Sequence, residues 1–200
     1  MTVLRCVVVA GFILLAAACS LGKPIPQATT YVVEPPPPAS VLPHRAQTLR
    51  MGRVRVAPAF AGQPLVVRVD GTRYSADFYN TFIAEPAGLF GARMAEWLAQ
   101  SGPFDTVLQP DSTTPAAYAL EAVVTELYGD FSPGHPPVAV LTIQFTLIDL
   151  QGLTPQARLE RTIGRRIELA EATPNALVLG YGQALGEILT ELAPQLSPVR

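Results

Sequence analysis

The 200-residue chain is nearly neutral and rich in apolar residues. It carries 14 basic and 16 acidic residues, a net charge of −2 at pH 7, and 49% of its residues are hydrophobic. This balance excludes the basic surface that nucleic-acid binding needs. Both cysteines, Cys6 and Cys19, lie within the first 19 residues, so no intramolecular disulfide can stabilise the remainder, and its fold depends on a hydrophobic core.

The first 19 residues have the pattern of a bacterial export signal. Arg5 precedes an apolar run over residues 6–15, which is too short to span a bilayer as a mature helix, and three alanines follow. A cysteine directly after these alanines predicts a lipoprotein signal peptide over residues 1–18, with Cys19 as the lipidated N-terminus after cleavage. The alternative is an ordinary secretory signal that leaves Cys19 as a free thiol.

Lipidation of Cys19 predicts a protein anchored on the periplasmic side of the cell envelope. Two or three acyl chains anchor a protein stably, whereas a single chain binds only marginally. Ser20 occupies the position where an aspartate tends to retain lipoproteins at the inner membrane, so the sequence favours the outer membrane.

Residues 19–48 are predicted to be a proline-rich tether. They contain seven prolines, and the run EPPPPAS favours polyproline II, a semi-rigid spacer of about 3.1 Å per residue. A partner-docking segment is the alternative. Residues 30–33 differ from their surroundings because they are β-branched and aromatic, and they are predicted to add to a sheet as an edge strand.

The folded domain is predicted over residues 49–196, and its first half combines strands with one helix. Alternating apolar and polar residues predict the strands, and Asp70-Gly71 is a strong two-residue hairpin turn. A first-turn proline, one apolar face and a final Gly-Pro pair predict the helix. In chain order we expect strands over 50–57, 64–69 and 72–76, a helix from Glu85-Pro86 to Gly102-Pro103, and a strand over 104–108.

The second half is predicted to be a three-strand meander followed by a helix. The strands cover residues 117–130, 138–150 and 158–170, and their alternation indicates antiparallel, half-solvated pairing. Thr173-Pro174 supplies a cap and a first-turn proline for a helix with one apolar face. The predicted fold is α/β (α+β), a single mixed, largely antiparallel β-sheet with two amphipathic helices packed on it.

The sequence offers no catalytic constellation, so we predict a non-enzymatic protein without a metal or another cofactor. His44 and His135 have no metal-ligand partner at helical or hairpin spacing, and His135 is predicted to be a solvated loop side chain. Lys23 is the only lysine, and neither a phosphate loop nor a G-x-S-x-G turn is present. Glu121 and Glu126 are predicted to face opposite sides of a strand because their separation is odd.

One candidate binding feature is a group of four aromatic residues ahead of the first helix: Tyr74, Phe78, Tyr79 and Phe82. Core packing is the simpler explanation of this group. The functional alternative is a contact surface for a partner peptide or a lipid acyl chain.

A second feature is a pair of glycines in the last helix, Gly182 and Gly186. Each glycine costs about 1 kcal/mol relative to alanine in a helix interior, so their presence indicates that another part of a chain approaches closely. An intramolecular contact is one interpretation. The other is a helix of a second copy of the protein in a homo-oligomer.

These patterns together resemble the ABC-type transport auxiliary lipoproteins. That family provides accessory components of Mla-like, mammalian-cell-entry-type (MCE) and paraquat-inducible-type lipid transport systems. The resemblance covers about residues 30 to 195. It rests on the signal ending at Cys19, the short strand Tyr31-Val32-Val33, the strand LRMGRVRVAPAF (49–60), the hairpin LVVRVDGTRYSADFYNTFIAEP (65–86), and the helix and strand GARMAEWLAQSGPFDTVL (91–108).

The resemblance implies a non-catalytic role in the periplasm. The protein would be tied to a membrane by its lipid and would assist a transporter for lipids or other apolar molecules. Its partners would be an MCE-type substrate-binding protein and an ABC permease. The alternative is an envelope assembly or regulatory lipoprotein that binds a cell-wall synthase or a secretion pore.

Overall fold

A computed structural model describes residues 27–43 and 46–196 of the protein, so the signal peptide, Cys19 and His44 lie outside the described residues. The described residues form one eight-stranded mixed sheet and two helices, which confirms the predicted fold class. The elements are β1 (Thr29–Tyr31), β2 (Thr48–Val56), β3 (Pro64–Asp70), β4 (Arg73–Phe82), α1 (Pro86–Ser101), β5 (Thr106–Leu108), β6 (Tyr118–Asp130), β7 (Val138–Asp149), β8 (Gln156–Glu168) and α2 (Pro174–Leu192), with 3-10 turns at Pro58–Phe60 and Ala193–Leu196.

Strand β6 organises the sheet. One of its edges pairs antiparallel with β7 along the whole strand, and β7 pairs likewise with β8, which confirms the predicted meander. The other edge pairs in parallel with β2 over its first half and with β3 at Gly129 and Asp130. Strand β5 extends the sheet beyond β2, and the β3–β4 hairpin extends it toward β1.

The two helices cover one face of this sheet. Helix α1 packs on β2 and β5, and α2 packs on β7 and β8. Helix α1 ends at Gly102, whose φ of 76° is left-handed and therefore suits glycine. Helix α2 begins at Thr173, whose Oγ1 accepts a hydrogen bond from the backbone N–H of Ala176 at 3.3 Å. The core between sheet and helices includes Leu120, Ile143, Phe145, Leu185 and Ile188, all fully buried.

A β-bulge in β6 corrects the prediction for Glu121 and Glu126. The register with β7 shifts between Val124 and Glu126, so one extra residue separates the two carboxylates. They now lie opposite Thr146 and Thr142, which share one face of β7, and Thr142 Oγ1 donates to Glu126 Oε2 at 2.6 Å. Both glutamates therefore lie on the face that the helices leave uncovered.

The proline-rich segment was predicted to be a semi-rigid tether, but over residues 29–43 it packs on the domain, first by pairing with β4 and then by contacts with the two helices. Val33 is completely buried in the core, and the indole Nε1 of Trp97 donates to the carbonyl oxygen of Pro36 at 2.9 Å. Further along, the N–H of Leu42 donates to the carbonyl oxygen of Ser101 at 2.6 Å. We call residues 29–43 the arm. Its first part, β1, is an edge strand as predicted, but it covers Thr29–Tyr31, and Val32 and Val33 lie beyond its end.

The arm also accounts for Gly182 and Gly186, the two glycines of α2 singled out by their spacing. A Cβ on Gly182 would collide with the carbonyl oxygen of Glu34, and a Cβ on Gly186 would lie 2.8 Å from Pro36 Cδ. The close approach predicted from the sequence is therefore intramolecular. The segment that approaches Gly182 and Gly186 is the arm of the same chain, and it is neither the sheet nor a helix of a second copy.

Candidate functional site

The four predicted aromatic residues do not form one cluster. Phe82 is buried in the core with its ring 6.2 Å from that of Tyr181. Tyr74 lies on the helix-free face, where its ring contacts those of Phe60 and Tyr128. Core packing, the simpler explanation, thus applies to Phe82 alone.

Phe78 and Tyr79 are exposed to solvent, at 75% and 50% of their surface, because the β3–β4 pairing is interrupted beside them. Pro64 pairs with Thr81 while Leu65 already pairs with Asp77, so residues 78–80 have no partner on β3. Asp77 Oδ1 accepts hydrogen bonds from the N–H groups of residues 79 and 80 at 3.0 and 3.1 Å. Such side-chain bonds to the following backbone stabilise a local turn, which fixes how the two aromatic side chains project.

A charged cluster that sequence analysis did not identify lies on the helix-free face. Its centre is Asp130 at the end of β6, whose side chain is only 1% exposed. Arg68 binds this carboxylate with two hydrogen bonds, through Nε and through its terminal nitrogen, and Arg166 adds a third at 3.0 Å. The guanidinium of Arg68 also lies over the ring of Tyr128, 5.4 Å from its centroid.

The arginines determine the ionisation of Asp130. Burial by itself would raise the pKa of this carboxyl group, but hydrogen bonds from the guanidinium groups of Arg68 and Arg166 and from the backbone N–H of Ser132 outweigh that effect. The net result is a pKa far below its ordinary value, so Asp130 is ionised at every physiological pH. The cluster thereby joins β3, β6 and β8, three strands that do not all neighbour one another.

Asp130 and the turn that follows it, between β6 and β7, contain the residue types of a hydrolase triad, but these residues do not have the geometry of a triad. His135, predicted to be solvated, lies with Nε2 3.6 Å from Asp130 Oδ1, while its Nδ1 is 2.8 Å from the carbonyl oxygen of Pro136. Ser132 Oγ is buried and has no hydrogen-bond partner among the described residues. A nucleophilic relay requires histidine between the serine and the acid, so this turn does not form one.

An open cleft of about 750 Å³ extends from the middle of β2 over β6 and the end of β7, and the first turn of α1 borders it. Strand β5 pairs only with residues 48–50, and the register with β6 breaks between Met51 and Val54, which leaves the middle of β2 uncovered. Arg50, Arg53 and Glu121 line the cleft together with apolar residues. Because both signs of charge are present, the cleft is better suited to a protein surface than to a phosphate group.

Two features are absent from residues 27–43 and 46–196, the part of the chain that the structure describes. No group of three or more His, Cys, Asp and Glu side chains in these ranges is arranged to hold a metal ion. None of the helices described there has the length and apolarity needed to cross a bilayer.

The described residues thus form a small α+β domain with an arm docked on its helices and with exposed aromatic residues near the start of that arm. The chain belongs to the family of ABC-type transport auxiliary lipoprotein components, whose model matches residues 31–193. The match confirms the resemblance that the sequence motifs indicated. No curated protein matches the sequence as a relative.

Two solved structures share the fold. Protein XCC0632 from Xanthomonas campestris, assigned to the family model DUF330, superposes with a TM-score of 0.71 at 16% identity, covering 82% of this chain and 92% of its own. A second structure, of an uncharacterized protein, gives a TM-score of 0.63 at 15% identity and covers 78% of this chain and 99% of its own. At these identities the similarity establishes the fold alone.

Proposed function

We propose that the protein is a lipid-anchored, non-catalytic auxiliary component of an ABC-type transport system of the MCE/Mla-like kind, which moves lipids or other apolar molecules. The observation that carries this proposal is the family match. It spans the arm from Tyr31 onward, the rest of the sheet and both helices, and is not confined to one motif. The proposed partners are an MCE-type substrate-binding protein and an ABC permease.

In this proposal the anchor at Cys19 keeps the domain on the periplasmic face of a membrane, with the outer membrane favoured by Ser20. Cys19 and Thr29 are only ten residues apart, and from Thr29 onward the chain is packed on the domain. Ten residues span at most about 35 Å when fully extended. The domain is thus confined to a thin layer at the membrane, which raises its effective concentration for a partner in the same envelope.

Capture of partners in intact cells tests this function. The wild-type chain with a C-terminal tag and the Cys19→Ala variant are crosslinked in parallel, and the captured proteins are identified by mass spectrometry. We expect MCE-type or permease components with the wild type and at least tenfold fewer with the variant. Capture of cell-wall synthases or a secretion pore, without any transporter component, would instead support the assembly role.

A further inference from the structure

The exposed side chains of Phe78 and Tyr79 lie where the chain departs toward Cys19. Strand β1 runs parallel to the end of β4, with Thr29 opposite Asn80 and residue 31 opposite residue 82. Neighbouring strands are about 4.8 Å apart. Because the two strands run in the same direction, the N-terminal end of β1 lies at the same end of this strand pair as Tyr79 and Phe78.

Hydrogen bonds connect β1, the start of the arm, to the turn that contains Phe78 and Tyr79. The hydroxyl of Tyr31 donates to Asn80 Oδ1 at 3.1 Å, and the N–H of Ile83 donates to the carbonyl oxygen of Tyr31 at 3.0 Å. Asp77 Oδ2 accepts from Asn80 Nδ2 at 2.8 Å. The side chain of Asn80 thus connects β1 to the turn that projects Phe78 and Tyr79, and the pair has a fixed position relative to the start of the arm.

The short chain between Cys19 and Thr29 limits how far Phe78 and Tyr79 can lie from an anchor at Cys19. The ten residues between Cys19 and Thr29 reach at most about 35 Å, and the arm beyond Thr29 leads away over the helices. The edge formed by β1 and the end of β4 is therefore the part of the domain tied most closely to an anchor at Cys19. Aromatic side chains, with tyrosine presenting an apolar ring and a polar hydroxyl, are enriched at the membrane–water interface.

We propose that Phe78 and Tyr79 enter the interface of the same phospholipid bilayer that holds the acyl chains of Cys19. This inference rests on the lipid anchor of the proposed function and deepens it. The lipid chains fix the distance between the domain and the membrane, and the aromatic pair fixes the orientation. The edge of β1 and β4 then faces the bilayer, and the rest of the domain projects into the periplasm.

Quenching by brominated lipids tests the orientation with the full mature lipoprotein. Phe78→Trp and Tyr79→Trp are reconstituted separately into phosphatidylcholine vesicles whose acyl chains are brominated or unbrominated. Leu153→Trp is the matched control, because Leu153 is fully exposed in the β7–β8 turn. The native Trp97 is 4% exposed, and its signal is measured in the wild type and subtracted.

We expect brominated lipid to reduce the emission of Trp at position 78 at least twofold and that at position 79 by a smaller factor, and to leave position 153 unchanged. If the chains float with the vesicles but brominated lipid changes the emission equally at all three positions, the inference is overturned while the anchor stands. A chain that fails to float although it folds would overturn the anchor itself, and the orientation with it. The two failures are distinguished by flotation.

Discussion

Gly182→Ala is expected to release the arm from the helices and to destabilise the protein. Alanine is the better helix former by about 1 kcal/mol, so a helix free of other contacts would gain stability from this change. Here the added Cβ would collide with the carbonyl oxygen of Glu34 and lie 3.1 Å from its carbonyl carbon. Backbone atoms cannot rotate away, so we expect a net loss of about 1–3 kcal/mol in the free energy of unfolding.

The only tryptophan of the chain reports release of the arm directly. Trp97 is nearly buried and donates a hydrogen bond to the carbonyl oxygen of Pro36. In Gly182→Ala its emission should shift to longer wavelength, and residues 29–43 should become sensitive to protease. Gly88→Ala is the control, because nothing lies within 4 Å of a Cβ at that helical position, and it should leave emission unchanged. A stabilised Gly182→Ala with unchanged emission would contradict the docked arm.

Asp130→Asn is expected to lower stability at neutral pH by about 1–3 kcal/mol, since it removes the acceptor charge of a buried hydrogen-bonded cluster. Removing one member of a fully buried pair costs more, but Arg68 and Arg166 retain 28% and 54% exposure and can be solvated in the variant. Asp70→Asn is the matched control. Its carboxylate is 67% exposed at the hairpin tip, and we expect no measurable loss there.

The pH dependence of stability shows whether the loss expected for Asp130→Asn comes from the carboxylate charge. The folded-state pKa of Asp130 is depressed, so its contribution to stability is fully present above the ordinary carboxyl value of about 4 and is lost as pH falls toward the folded-state value. Urea unfolding at pH 7 and pH 3 should show the gap between wild type and Asp130→Asn narrowing in acid. A gap that is constant or grows at pH 3 would show that the carboxylate charge is not responsible.

Elements with a strong local signal could be predicted from the sequence. The helix ends at Pro86 and Gly102 depend on residues that restrict the backbone locally, and the structure has them where expected. The predicted hairpin is present, but its two turn residues are Gly71 and Thr72, one position later than expected, because Asp70 still pairs with Arg73. The glycines of α2 indicated that something packs closely against them, but the partner lies about 150 residues earlier in the chain. Helical periodicity contains no information about such a distant segment.

Features that depend on register could not be predicted. A single bulge in β6 moved Glu126 to the face of Glu121, although their spacing indicated opposite faces. Strand β4 extends to Phe82 because β1 pairs with its last three residues, and the interruption beside Leu65 leaves Phe78 and Tyr79 unpaired with β3 and exposed. Asp130 meets Arg68 and Arg166 only because three strands align in the sheet. None of these residues has a distinctive neighbour along the sequence.

The intact mass of the mature protein, extracted from membranes with detergent, tests the central claim most directly. In the proposed function, tethering, local concentration near a transporter and orientation at the bilayer all depend on a lipid at Cys19. We expect a chain that lacks residues 1–18 and carries two or three acyl chains on Cys19. A chain that retains residues 1–18, or one released without detergent and bearing a free Cys19 thiol, would contradict it.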